Sequence, residues 1–229
     1  MISFAGKLIL LDIEGTVSPL AFVHDMMFPY ARKHATAWLG AHWGHEVIAQ
    51  LARDAGVASF HNALDAEAAV HRLMDADAKV TGLKRLQGLI WEQGFKSGGL
   101  CATLFADVPP GLQRFKDAGL ELRIYSSGST HAQRLFFAHT EAGDLSPLLS
   151  GYYDTTLGHK RDAASYAAIA ADAGVLAGEI LFLSDVVAEL DAASTAGMRT
   201  GLALRPGNPP APPNSHAAFS TLDEIVLTP

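Results

Sequence analysis

The chain has 229 residues, 49% of them hydrophobic and 18% charged, with a formal net charge of −7. That size and balance exclude a disordered chain and leave room for one large domain or a core domain with an insert. The acidic balance argues against nucleic acid or an anionic membrane as partner, while a small anionic substrate stays open because a site can be locally positive. A single cysteine, Cys101, excludes a disulfide within the chain, fits a reducing compartment and reads as a filler side chain. No apolar run approaches the roughly 18 residues of a membrane span. The N-terminal stretch, with one lysine and a short apolar run, does not read as a secretory signal. A cytoplasmic protein is expected.

In chain order, "LILL" over residues 8–11 is an apolar run without alternation, which predicts a strand buried on both faces. It runs straight into Asp12, Glu14 and Gly15. From about Pro19 to Leu104 the chain is rich in Ala, His, Leu and Trp at helical spacing, and four or more helices are expected there with no strand. His34, His42 and His45 lack the spacing of an HExxH metal site and read as polar positions of an amphipathic helix. Trp91 and Phe95 read as core. Lys96 stands beside Gly98 and Gly99, which would let a loop approach a ligand, so it is a candidate contact.

After Asp107 strands and helices alternate. "PPGLQRFKDAG" is a helix with proline at its start and Gly119 at its end. "LELRIYSSGS" is a strand entering a Ser/Gly turn, "THAQRLFFAHTEAG" a helix and "SGYYDTT" a short strand. "KRDAASYAAIAADAG" is a helix that Lys160 opens, "EILFLSD" a strand, "VVAELDAASTAG" a helix and "RTGLALR" a strand. "PGNPPAPPN" is a proline-stiffened loop and "STLDEIVL" a last helix. This repetition predicts an α/β fold, a doubly wound parallel sheet with an inserted helical cap. Residues 1–18 plus 105–229 form the core, and 19–104 form the cap.

Ligands of an open parallel sheet bind beyond the carboxyl ends of its strands. Asp12 and Glu14, Ser126 and Ser127, and Ser184 and Asp185 end three of the predicted strands, and Lys160 follows another. Taken singly, each has a plain structural reading as a turn former, helix cap or surface charge. Taken together, they suit phosphoryl transfer from a monoester to a carboxylate. A cation held by Asp12 and Asp185 removes the repulsion between that carboxylate and a phosphate dianion, and oxygen ligands suit Mg²⁺. Lys160 adds positive charge, and Ser126, Ser127 and their turn amides donate to phosphoryl oxygens.

The series "LLDIEGT", "IYSSGS", Lys160 and "LFLSDVVAELDAA" resembles the haloacid dehalogenase-like phosphatases. Within them, "DIEGTVSPLAFVHDMMFPYA", "IWEQGFKSGGL", "FADVPPGLQRF", "IYSSGSTHAQRLFF" and "GYYDTTLGHK" resemble the enolase-phosphatases of methionine salvage, over nearly the whole chain. Glu14 is informative because most relatives in the wider superfamily have a second Asp there. The resemblance implies an enolisation followed by a dephosphorylation, with Mg²⁺, that turns the small phosphorylated diketone 2,3-diketo-5-methylthiopentyl-1-phosphate into 1,2-dihydroxy-3-keto-5-methylthiopentene and phosphate. It implies that Asp12, Glu14 and Asp185 hold the metal, Glu14 through its backbone carbonyl, and that Ser126, Ser127 and Lys160 bind substrate. Asp12 is then the nucleophile, with Glu14 and Lys96 as candidates for proton handling. Glu189 reads either as a residue behind the metal ligands or as a solvated helix acid. His24 stands where a lysine is frequent in the family, so no role attaches to it. A monomer is expected. The alternatives are a capped phosphatase or dehalogenase for another small substrate, and a phosphoryl-accepting receiver or catalytically silent binding module. The receiver is disfavoured because its acceptor ends a middle strand and it lacks so large an insert.

Overall fold

The computed structural model describes residues 1–228. Its strands are Ile2–Phe4 (β1), Leu8–Leu11 (β2), Glu121–Tyr125 (β3), Gly151–Tyr153 (β4), Ile180–Ser184 (β5), Arg199–Ala203 (β6), Ala217–Phe219 (β7) and Ile225–Leu227 (β8). Six of them form a parallel sheet in the order β4-β3-β2-β5-β6-β7, and β1 and β8 pair in a separate parallel ribbon. The unbroken apolar run of β2 follows from this position. It is central, with Leu8 opposite Glu121 on one side and Ile180 on the other, and all four of its side chains are buried, so both faces of the sheet are covered there. The chain leaves β2 towards β3 and β4, then crosses to β5 on the other side. The sheet is therefore doubly wound and reverses beside β2, which is where such sheets bind ligands.

The helices after these strands are Val108–Asp117 (α5), Thr130–Ala138 (α6), Ala163–Ala173 (α7) and Val187–Thr195 (α8); α1 to α4 belong to the insert described below. One core cluster joins Leu8, Leu10 and Phe182 of the sheet to Tyr166 and Ile169 of α7 and Leu190 of α8. Among the described residues no helix is long and apolar enough to cross a membrane.

The chain divides into two compact units, residues 1–22 with 101–229, and residues 23–100. The expected boundaries, 18/19 and 104/105, are each four residues away. Residues on both sides of the insert are tied to the first unit: Ser18 Oγ donates to Thr103 O at 2.8 Å, Ala102 N to His139 O at 2.7 Å, and Phe22 packs edge-on against Phe136 at 5.8 Å.

The second unit holds Phe28–Ala41 (α1), Glu46–Asp54 (α2), Ala63–Asp75 (α3) and Thr81–Lys96 (α4), after a π-helical segment, Phe22–Met27. Its core is built on small residues that let helices approach: Ala31, Ala35 and Ala66 are fully buried among Leu51, Val70 and Leu86. Asp54 Oδ2 accepts from Gly82 N at 2.6 Å and so caps the start of α4. The histidines have local partners. His42 stacks on Trp38 at 4.3 Å, and His45 Nδ1 accepts from Val47 N at 3.2 Å as the N-cap of α2. Phe95 is core as expected, and Trp91 is half-buried with Nε1 donating to Met27 O at 2.7 Å.

Four expectations are corrected. "STLDEIVL" is a 3₁₀ turn, Leu222–Glu224, followed by β8, because Ile225 and Leu227 find partners in β1 at the opposite end of the chain. Strands β1 and β7, absent from the expected order, are both pieces of three residues; β1 pairs with β8 at the other end of the chain, and β7 with β6 across the proline-rich loop. Lys160 does not open a helix; α7 begins at Ala163 after a turn. Cys101 is exposed and fills no core position.

Candidate active site

Asp12 follows β2 and is buried, with its amide donating to Leu183 O of β5 at 3.0 Å, so the strand pairing continues one residue past β2. Its Oδ1 accepts from Ile13 N at 2.8 Å and meets Lys160 Nζ at 2.6 Å. Lys160 Nζ also lies 2.7 Å from Glu189 Oε2. Ser184 Oγ bridges the same groups, 3.0 Å from Glu189 Oε2 and 3.3 Å from Asp12 Oδ2. One ammonium thus sits between two carboxylates in a buried network. Burial works to lower the Lys160 pKa, but Asp12 and Glu189 outweigh it and hold the ammonium above its ordinary value. Burial and then the Asp12 charge push Glu189 up to about 7, against the opposing pull of Lys160. Glu189 is therefore no solvated helix acid; it is the second anchor of Lys160. The sequence signal available was its position one helical turn beyond Asp185.

Asp12, Lys160 and Glu189 line a cavity of about 120 Å³ together with Glu14 and Asp185, the hydroxyl residues Ser126 and Ser127, and two apolar residues, Leu20 and Val186. Ser126 is buried and Ser127 exposed. Their turn is pinned from behind by Gln133, whose Nε2 donates to Gly128 O at 2.7 Å and Tyr153 O at 2.8 Å. Lys96 belongs to the other unit. It ends α4, is exposed, and pairs with Glu92 at 2.6 Å. Of the two glycines beside it, Gly99 has a packing role, since a Cβ there would lie 2.7 Å from Tyr30, while Gly98 has nothing within 4 Å. His24 is exposed beside Phe28.

The turn after Asp12 is fixed on every side. Gly15 adopts φ +71°, and a Cβ there would lie 2.3 Å from Asp185 Oδ2. Asn208 Nδ2 donates to Gly15 O and Arg205 Nε to Thr16 O, each at 2.8 Å. Arg205 is itself held by both Asp107 oxygens at 2.9 Å. Arg205 and Asn208, in and beside the proline-stiffened loop, escaped sequence reasoning because nothing at that distance along the chain marks them as partners of the turn.

The donors fit a hard cation. Burial and then Asp12 push Asp185 up to about 6, and Glu14 adds to that, so negative charge is in surplus beside Gly15. All the donors are oxygens, as Mg²⁺ requires. Among the described residues no three His, Cys, Asp or Glu side chains are arranged to hold a metal. Two carboxylates, Asp12 and Asp185, line the cavity, and a main-chain carbonyl, water or substrate would complete the shell.

A sequence model of the haloacid dehalogenase-like hydrolases matches residues 7–197. The chain is 46% identical over 233 residues to Enolase-phosphatase E1 of Synechococcus elongatus, covering 95% of this chain and 96% of that one. It is 50% identical over 226 residues to Enolase-phosphatase E1 of Pseudomonas aeruginosa, covering 96% and 98%. Among solved structures, the UTR4 protein of Saccharomyces cerevisiae matches with a TM-score of 0.83 and 34% identity, covering 96% of this chain and all of that one.

Proposed function

Since the chain belongs to the haloacid dehalogenase-like hydrolases and, within them, to the enolase-phosphatases, we propose the two-step reaction of methionine salvage as its function. It enolises 2,3-diketo-5-methylthiopentyl-1-phosphate and then dephosphorylates it to 1,2-dihydroxy-3-keto-5-methylthiopentene. The observation that carries the site assignment is the Asp12 carboxylate held by Lys160 at 2.6 Å and the Ile13 amide at 2.8 Å, at the end of the central strand.

Asp12 attacks phosphorus. The bond from its oxygen to phosphorus forms as the bond from phosphorus to the substrate oxygen breaks, and that oxygen takes up a proton; water then cleaves the acyl phosphate, its oxygen going to phosphorus and a proton being returned, which releases phosphate and restores the carboxylate. Lys160, Ser126 and Ser127 donate to the phosphoryl oxygens as charge develops there. Mg²⁺, when bound by Asp12, Asp185 and the Glu14 carbonyl, supplies positive charge that lets a carboxylate approach a phosphate dianion. Glu14 lines the same cavity and is assigned to proton transfer in the enolisation. Lys96 is assigned to the same step. Its surface ion pair with Glu92 is of a kind worth about 0–1 kcal/mol and does not hold it in place. The reading also includes a monomer in the cytoplasm, the latter supported by the single cysteine.

The test is incubation with the diketo phosphate, following enol absorbance and free phosphate together, in chelated and Mg²⁺-restored protein. Chelation should abolish turnover and Mg²⁺ should restore it. Asp12→Asn should abolish phosphate release while keeping the fold. Near-wild-type phosphate release by that variant, verified by mass, removes Asp12 as nucleophile. Full activity in exhaustively chelated protein removes the metal. Turnover of other phosphomonoesters without the diketo phosphate points to a capped phosphatase of different specificity.

A further inference from the structure

Three consecutive carbonyls in the turn before α7 each accept a hydrogen bond from a different side-chain hydroxyl. Tyr125 Oη donates to Gly158 O at 2.9 Å, Ser165 Oγ to His159 O at 2.8 Å and Tyr166 Oη to Lys160 O at 2.7 Å. All three donors are buried, one at the end of β3 and two in the first turn of α7. Satisfying a buried carbonyl needs one donor. Donors to three successive carbonyls do more. They orient three peptide planes in a row, and each plane has only the two soft dihedrals on either side of its Cα atoms to adjust. No helix or strand ladder runs through these residues; the turn's own backbone adds Asp162 N donating to His159 O at 3.0 Å.

Two further observations converge on the same residues. A Cβ at position 158 would lie 2.2 Å from Ser165 Oγ, so glycine there leaves the space through which Ser165 reaches His159. The Tyr125 ring lies beneath the ammonium, 5.7 Å from Lys160 Nζ, and packs edge-on against Tyr166 at 5.6 Å. The main chain of Lys160 is therefore held by Tyr166, and its side chain passes over Tyr125 to end between Asp12 and Glu189.

We propose that Tyr125, Ser165 and Tyr166 are positioning residues for Lys160, a rack of hydroxyls that sets the 158–160 backbone so that the ammonium arrives at Asp12 and at the phosphoryl oxygens. The inference rests on the assignment of Lys160 as the phosphoryl contact. The need for such a rack is physical. A lysine side chain has four carbons of freedom and the turn adds its own, and a displacement of about 1 Å at a reacting centre costs on the order of 10²-fold in rate.

The test is a double-mutant cycle on the full chain with Mg²⁺, using Tyr166→Phe, Lys160→Ala and the pair. Turnover of the diketo phosphate and orthovanadate affinity by calorimetry are read in each. Tyr166→Phe deletes one hydroxyl and should lower kcat about tenfold and weaken orthovanadate binding, with KM within twofold of wild type. In the Lys160→Ala background the same substitution should change neither quantity, since the rack acts only through Lys160. A residue that merely stabilises the fold would lower the thermal midpoint and act equally in both backgrounds, and that result overturns the proposal. So does an unchanged kcat in folded Tyr166→Phe. Ser165→Ala, which removes a smaller donor and opens space beside Gly158, is read in the same cycle and should show the same dependence on Lys160. Should Lys160→Ala alone leave phosphate release intact, the assignment of Lys160 falls and the rack with it. A large loss in Lys160→Ala with none in Tyr166→Phe or Ser165→Ala removes the rack alone.

Discussion

Gly15→Ala probes the turn that follows Asp12 and packs against Asp185. Gly15 has φ +71°, a region that a residue with a Cβ enters at about 1–2 kcal/mol. Loss of unfolded-state freedom returns about 0.4–1 kcal/mol of that. The larger effect is contact: the added methyl would lie 2.3 Å from Asp185 Oδ2 and 2.6 Å from its Cγ, well inside van der Waals separation. The turn is not free to yield, since Gly15 N donates to Ser18 O at 2.8 Å while Asn208 and Arg205 hold the next two carbonyls. Asp185 must move instead, and forced repacking of this kind costs about 1–3 kcal/mol. The expected total is roughly 2–4 kcal/mol. Gly119→Ala is the control: it has φ +83° with nothing within 4 Å of its Cβ, so it carries the backbone cost alone, about 1 kcal/mol. Urea unfolding in chelator should separate the two variants by about 1–3 kcal/mol. Calorimetric Mg²⁺ titration should show affinity weakened tenfold or more in Gly15→Ala and unchanged in Gly119→Ala. Equal destabilisation of both variants, with wild-type Mg²⁺ affinity in Gly15→Ala, would refute the reasoning.

Arg205→Leu removes a guanidinium with a side chain 1% exposed, leaving Asp107 without its cation, and should cost about 3–5 kcal/mol in urea unfolding; a loss under 1 kcal/mol would show that the Asp107 contact carries little. Lys96→Ala should leave stability within about 0.5 kcal/mol, since its partner Glu92 is a surface contact. It should slow enol formation more than dephosphorylation of supplied enol phosphate. Equal losses in both steps indicate substrate binding alone, and no loss in either leaves Lys96 a surface lysine. Burial, then the hydrogen bond to Asp172, pushes the Tyr153 hydroxyl up to about 12, with Arg123 opposing. Because the folded value lies above the unfolded value of about 10, the associated stability is complete below pH 10 and is lost as pH rises through 12. Between pH 8 and pH 11 wild type should therefore lose about 1.4 kcal/mol relative to Tyr153→Phe in urea midpoints, and parallel curves for the two proteins would contradict the shift.

Features governed by neighbours in the chain were legible before any coordinates. The apolar run of Leu8–Leu11, the glycine at 119 that ends α5 and the proline that starts it depend on local sterics and on burial of a short segment, so their spacing carries the signal. The placement of Asp12, Ser126, Ser184 and Asp185 followed from the same reading, because parallel strands bring all their carboxyl ends to one edge. "STLDEIVL" fits a helix by itself; it became a strand because Ile225 and Leu227 meet Ile2 and Phe4, more than 220 residues away. Glu189 could be a solvated acid or a partner until folding placed it 2.7 Å from Lys160. Arg205 and Asn208 reach back 189 and 193 residues to the turn after Asp12. Hydrogen bonds and ion pairs of that kind leave no periodicity in a sequence, because their free energy depends on where the sheet delivers each side chain and on how little water remains around it.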